Sequence, residues 1–171
     1  MNKKKKHLKR ISCVLFILYL ILLVWIILFK LQFRISDIGY IRSINLTPFH
    51  YSTSVGEQFH FEEVRDNILI FIPFGVLLSM LSSRMKLQNK VLIIFGSSFI
   101  LEMIQYILAI GSTDITDLIT NMFGGIIGIG LYALLLKILK DKQKTDIVIS
   151  TLAGIFAVLF LALMTVLLLS N

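Results

Sequence analysis

Five stretches of apolar sequence, each long enough to cross a lipid bilayer, constrain the fold of this chain more than any other feature. They occupy residues 11–29, 67–83, 91–110, 118–139 and 147–169. A helix needs about 20 apolar residues to cross the hydrocarbon core. The chain is 16% charged, whereas soluble domains are about 25% charged. The sequence therefore predicts a single all-α domain, a membrane bundle of five transmembrane helices.

The basic residues predict how this bundle is oriented. Thirteen of the 17 Lys and Arg residues lie in the tail at 1–10 and in the short stretches 82–90 and 137–146. Short segments rich in Lys and Arg remain in the cytoplasm. The tail is therefore predicted to be cytoplasmic, the connection at 30–66 extracellular and the C-terminus outside. The net charge of +7 is explained by these basic cytoplasmic segments. No nucleic-acid-binding motif accompanies the charge, so nucleic acid is not an expected partner.

Acidic and amide side chains interrupt the apolar sequence around the third and fourth spans. Glu102 and Gln105 share one helix face, and Asp114, Asp117 and Asn121 form a second helical stripe. Hydrocarbon offers such groups no hydrogen-bond partner, so they usually face a bundle interior or a water-filled cavity. The sequence predicts an outward-facing polar pocket beneath the extracellular surface. Its candidate ligand-binding residues are Asn67, Glu102, Gln105, Asp114, Asp117 and Asn121.

A structural interpretation of the same residues stays open. Asp114 and Asp117 are of the type that caps helix N-termini, where a carboxylate also interacts favourably with the helix dipole. Asn121 and Gln105 could each hydrogen-bond a neighbouring backbone group. Glu102 lies within a span, where no cap is needed, which favours a functional role. The sequence identifies no catalytic residue, no metal site and no cofactor.

Proline and glycine predict how the spans pack. Pro73 removes the helix donor for the Leu69 carbonyl, so the second span is expected to lie inside the bundle, where that carbonyl can find a partner. Gly124 and Gly128 form a GxxxG pair, which is typical of close helix contact. A short interfacial helix is expected near residues 59–66, before the second span.

Four sequence segments, taken in order, carry a family resemblance. They are INLTPF at 44–49, NILIFIPFG at 67–75, EMIQ at 102–105 and DITDLITNMFGGIIG at 114–128. Together they resemble the VanZ-like family over residues 40–132. The family often has an arginine three residues before the first aspartate of its D-x-x-D pair, and this chain has Gly111 at that position.

The resemblance implies a multi-pass protein of the bacterial cytoplasmic membrane, in a family whose namesake is linked to low-level teicoplanin resistance. It implies no established reaction. The first hypothesis is an envelope protein whose pocket binds a lipid-linked cell-wall intermediate, another lipid head group or a glycopeptide. The alternatives are a membrane-embedded enzyme acting on a lipid-linked substrate, a small transporter, and a structural or partner-binding protein. Apart from the lipid bilayer itself, the sequence does not decide between these partners.

Overall fold

The computed structural model contains five helices and two short strands in the part of the chain that it describes, residues 3–29, 41–49 and 57–170. Much of the predicted extracellular loop therefore lies outside the described residues. In chain order the elements are α1 (Lys3–Phe29), β1 (Ile41–Asn45), α2 (Glu57–Leu81), α3 (Leu87–Leu108), β2 (Ile110–Asp114), α4 (Ile115–Leu139) and α5 (Lys142–Ser170). Each of the five helices is long and apolar enough to cross a membrane. This confirms the predicted all-α membrane bundle.

The helices extend beyond the apolar runs. α2 begins at Glu57, well before residue 67, so the short helix expected near residues 59–66 is the first part of α2. Residues 57–72 contain no proline or glycine and include Glu and Gln, which are good helix formers. An apolar run marks only the part of a helix suited to hydrocarbon. Helical hydrogen bonding continues into the polar sequence beside it.

α2 and α4 form the most extensive helix contact in the described structure, and glycines permit it. A Cβ added at Gly124 would collide with the carbonyl oxygen of Ile68, and one added at Gly128 would collide with that of Ile72. Gly75 of α2 meets the α4 backbone in the same way. The GxxxG pair therefore packs backbone against backbone, and α2 contributes a third glycine to the contact.

A buried apolar cluster joins α1 to α2 and α3. Its most deeply buried members are Leu23, Phe71, Phe74 and Ile94. The ring of Tyr19 stacks on that of Phe74, and the Tyr19 hydroxyl donates to the backbone carbonyl of Ile70. This carbonyl is the neighbour of the Leu69 carbonyl, whose helix donor Pro73 removes. The donor from α1 therefore reaches the carbonyl next to the freed one, whereas Pro73 and Leu69 themselves lie on the exposed face of α2.

Replacing Tyr19 with phenylalanine removes the hydroxyl that donates to Ile70. We expect the free energy of unfolding to fall by about 1 kcal/mol, the usual net contribution of one hydrogen bond. Tyr19→Leu should be less stable still, because it also removes the ring that stacks on Phe74. Thermal unfolding of the purified protein in detergent measures both changes. A Tyr19→Phe protein as stable as the original would contradict the role given to this hydroxyl.

The two strands form a short parallel ribbon that the sequence did not predict. Ile41 lies opposite Ile110, and Asn45 lies opposite Asp114. Ala109, with φ 54° and ψ 37°, ends α3 in the left-handed region, and the chain reverses there. β2 therefore runs back beside α3 before α4 begins at Ile115. The end of the bundle that carries both strands is called the strand end below.

Polar contacts join three helices at the opposite end. Lys142 Nζ donates to the Met80 carbonyl at 3.1 Å, to the Tyr132 hydroxyl at 3.3 Å and to Asp146 Oδ2 at 2.6 Å. The Met80 carbonyl belongs to the last turn of α2, where carbonyls have no partner within the helix. Lys142 therefore donates a hydrogen bond to a carbonyl that lacks a partner within α2, and it links this end of α2 to α4 and α5.

Candidate functional site

α3 carries one buried polar face. Ser98, Glu102 and Gln105 lie at helical spacing i, i+4 and i+7 and are 0%, 4% and 4% exposed. The carboxylate of Glu102 is therefore enclosed by protein and does not face lipid. Because a polar group buried without a partner is unfavourable, the contacts of these three side chains explain how the sequence tolerates them here.

Glu102 connects α3 to the beginning of α4. Its Oε2 accepts a hydrogen bond from the backbone N–H of Asp114 at 3.2 Å, and its backbone carbonyl accepts one from the Thr113 hydroxyl at 3.2 Å. The return of β2 along α3 explains the contact. Four strand residues cover about 13 Å at about 3.3 Å per residue, which brings Asp114 to the depth of Glu102 within the bundle.

Asp114 is the N-cap of α4 and also binds β1. One carboxylate oxygen accepts from the backbone N–H of Thr116 at 2.7 Å, and the other accepts from Asn45 Nδ2 at 3.0 Å. Asn45 Oδ1 in turn accepts from the N–H of Thr47 at 3.1 Å, and the N–H of Phe49 donates to the Thr116 hydroxyl at 3.0 Å. The INLTPF segment is thus held on the first turn of α4. Asp114 caps this helix, as the structural interpretation of the sequence predicted.

Asp117 makes its contact one turn further along α4. Its Oδ1 accepts from Asn67 Nδ2 at 2.7 Å, so the carboxylate links α4 to α2. The two side chains are 50 residues apart in the chain, and they meet because the glycine contact holds α2 and α4 close together. Asp117 therefore joins helices and is not merely a capping residue.

The two buried amides point to different neighbours. Asn121 Nδ2 donates to Ser98 Oγ at 2.9 Å, between α4 and α3. Gln105 Nε2 donates to the Ile27 carbonyl at 3.0 Å, near the C-terminal end of α1. The amide oxygens of both side chains are buried and have no hydrogen-bond partner among the described residues. Five of the six candidate residues thus lie along the interfaces of α4 with α2 and α3, whereas Gln105 faces α1.

The candidate residues predicted from the sequence do not include four polar residues of this network. They are Asn45, Ser98, Thr113 and Thr116. Only Asn45 had a specific signal, because Asn45 and Thr47 form an Asx turn within the INLTPF motif. The ribbon register also places Arg42 opposite Gly111, the position at which the VanZ-like pattern often has its arginine.

The fold and this network define the class of protein. Five membrane-length helices carry exposed apolar side chains such as Leu92, Ile138 and Val158, which suit contact with lipid. Near the strand end, Glu102, Gln105 and Asn121 are buried between helices. Asn67, Asp114 and Asp117 are half-buried beside them. The protein is therefore a multi-pass membrane protein with a buried polar network.

Comparison with known proteins gives the family. The VanZ/LLP1 family profile matches residues 16–137. The chain is 43% identical over 143 residues to Protein VanZ of Enterococcus faecium, an alignment that covers 82% of this chain and 85% of that protein. The chain belongs to the VanZ/LLP1 family, which confirms the resemblance carried by its four segments. No solved structure matches it significantly.

Proposed function

We propose that this protein acts in the bacterial cytoplasmic membrane, where a polar site near the strand end binds the head group of a lipid-linked cell-wall intermediate or a glycopeptide and lowers susceptibility to teicoplanin. Membership in the VanZ/LLP1 family supports the link to this drug class. The distribution of Lys and Arg supports a strand end that faces outward, because the basic segments adjoin the opposite end of the bundle. An outward-facing site would meet glycopeptides and cell-wall intermediates directly.

The observation that carries the proposal is the buried amide oxygen of Asn121. It has no donor among the described residues and lies one turn from Asp117 along α4. A buried acceptor without a partner is unfavourable, so such a group in a folded protein suggests that a donor binds there. Sugar hydroxyls and amines, which glycopeptides and cell-wall intermediates both carry, are suitable donors. Because the Asn121 oxygen is enclosed, such a group would have to enter beside the half-buried carboxylate of Asp117.

The test is conservative substitution within the network. We expect Glu102→Gln and Asp117→Asn to abolish teicoplanin resistance in cells that express the protein, because each keeps the shape of the side chain and removes its charge. Asn121→Ala removes the buried acceptor together with the donor to Ser98 Oγ, so it is compared with Ser98→Ala, which removes the same hydrogen bond and keeps the Asn121 oxygen. We expect Asn121→Ala to lose more resistance than Ser98→Ala at equal loss of stability. Resistance and the amount of protein in the membrane are measured on the same cultures.

The matched control is Glu62→Gln, which removes an exposed carboxylate from the same end of α2. It should leave resistance and abundance unchanged. Loss of membrane abundance in step with loss of resistance in the network variants would count against the proposal, because the residues would then support the fold alone. Network variants that are both abundant and fully resistant would also count against it.

A structural role is the second candidate, and the contacts of Asp114 favour it. This residue caps α4, binds Asn45 through its side chain and donates its N–H to Glu102. If these contacts serve only to close the strand end, the protein should tolerate any substitution that preserves stability. The pair Asn121→Ala and Ser98→Ala then separates the two candidates, because both variants lose the hydrogen bond between α3 and α4. For a structural role, both should lower resistance only in step with membrane abundance, whereas for a binding role Asn121→Ala should lower resistance further.

A further inference from the structure

An open groove of about 600 Å³ lies at the end of the bundle opposite the strands, between the first turns of α1 and α5. Its basic side chains are Lys6, His7 and Arg10 of α1. All three are exposed, and none of the described residues that line the groove is acidic. The groove therefore presents positive charge, and it lies outside the polar network described above.

The wall of this groove is apolar. Leu8 and Ile11 of α1 and Ile147 of α5 contribute to it, and Ile11 and Ile147 are 38% and 46% exposed. Lys6 and Arg10 lie i, i+4 on one face of α1, and Gln143 and Ile147 have the same spacing on α5. Cationic groups therefore stand beside apolar surface at the end of two helices that are long and apolar enough to cross a membrane.

We propose that the groove between α1 and α5 holds an anionic phospholipid, with its phosphate between Lys6 and Arg10 and an acyl chain against Ile11 and Ile147. Charge complementarity selects an anionic head group, because basic side chains near the end of a membrane span attract such lipids. The apolar wall favours a lipid over a free phosphate ion. An acyl chain would cover that wall, whereas a phosphate ion would leave it exposed to water.

The beginning of α5 does not itself provide the anion site. The Asp141 carboxylate already accepts hydrogen bonds from the backbone N–H groups of Gln143 at 2.7 Å and of Lys144 at 3.1 Å. The amide donors that often bind phosphate at a helix N-terminus are therefore occupied. Binding of the head group depends on the α1 side chains, and this dependence can be tested.

The experiment measures lipid preference of the full chain in nanodiscs of one part phosphatidylglycerol to three parts phosphatidylcholine. Native mass spectrometry after release of the protein counts the lipids that stay bound. We expect the retained lipid to be enriched severalfold in phosphatidylglycerol, and we expect Lys6→Gln with Arg10→Gln to reduce that enrichment to the bulk ratio. Ile147→Asn, which makes the wall polar without changing charge, should reduce the number of retained lipids.

The matched control is Lys9→Gln, which removes an exposed positive charge from α1 at a position that does not line the groove. It should keep the enrichment, and thermal unfolding should show that all variants remain folded. Because this control removes one charge, it is compared with the single variant Arg10→Gln, which should lower the enrichment. If Lys9→Gln lowers the enrichment as much as Arg10→Gln, general attraction to the membrane surface explains the result and the proposal fails. It fails equally if millimolar inorganic phosphate displaces the retained lipid, or if Ile147→Asn retains it fully.

Discussion

Gly128→Ala is expected to destabilise the protein strongly, although it adds only one methyl group. The new Cβ would collide with the backbone carbonyl oxygen of Ile72, and no flexible side chain is there to move aside. Overpacking a core usually costs about 1–3 kcal/mol and occasionally more, and a backbone collision should place Gly128→Ala at or above the top of that range. Gly124→Ala, which meets the Ile68 carbonyl, should behave alike. Thermal unfolding in detergent and membrane abundance measure the loss.

The chain provides matched controls for this prediction. An added Cβ meets nothing within 4 Å at Gly130 in α4 or at Gly154 in α5. Gly130→Ala and Gly154→Ala should therefore be neutral or slightly stabilising, because alanine favours a helix over glycine by roughly 0.5–1 kcal/mol. If Gly128→Ala proves as stable as Gly130→Ala, the α2–α4 contact is not as close as described.

The second large effect is expected at Asp114, where two contacts depend on one carboxylate. Asp114→Ala removes the cap of α4 and the acceptor for Asn45 Nδ2. Loss of a cap costs about 0.5–2 kcal/mol, and loss of a hydrogen bond costs about 0.5–1.5 kcal/mol more. The stability of Asp114→Asn should lie between those of the original protein and Asp114→Ala. Its amide oxygen can still cap α4, but its amide nitrogen cannot accept the hydrogen bond that Asn45 Nδ2 donates.

A swap of the two side chains provides the decisive control. In the double variant Asn45→Asp with Asp114→Asn, the donor and acceptor exchange places and the hydrogen bond between β1 and the start of α4 can form again. The carboxylate at position 45 can also still accept from the N–H of Thr47, as the Asn45 oxygen does. The double variant should unfold at a higher temperature than either single variant. A double variant less stable than both would show that the Asn45–Asp114 contact contributes little.

The helices could be predicted from the sequence because hydrophobicity alone determines which segments enter a membrane. The ribbon could not. Its strands, Ile41–Asn45 and Ile110–Asp114, are short, and the second contains Gly111 and Ser112, which are typical of turns. Parallel pairing between such distant segments leaves no local signal, unlike a hairpin with its turn residues.

The sequence predicts which residues form the polar network better than it predicts which contacts they make. Glu102, Asp117 and Asn121 stand out because lipid would not tolerate them, whatever their detailed contacts. The direction of Gln105 toward α1 depends on the rotation of α3, which spacing along one helix does not determine. Ser98 and Thr116 are missing from the prediction because serine and threonine occur in many membrane helices without functional meaning.

The parallel ribbon also sets an order of assembly. Asn45 and Asp114 are 69 residues apart, and α2 and α3 both lie between them. During synthesis on the ribosome, β1 leaves the exit tunnel long before its pairing partner exists. The polar network can therefore close only after α2 and α3 have been made, which makes its completion a late event in the biogenesis of the protein.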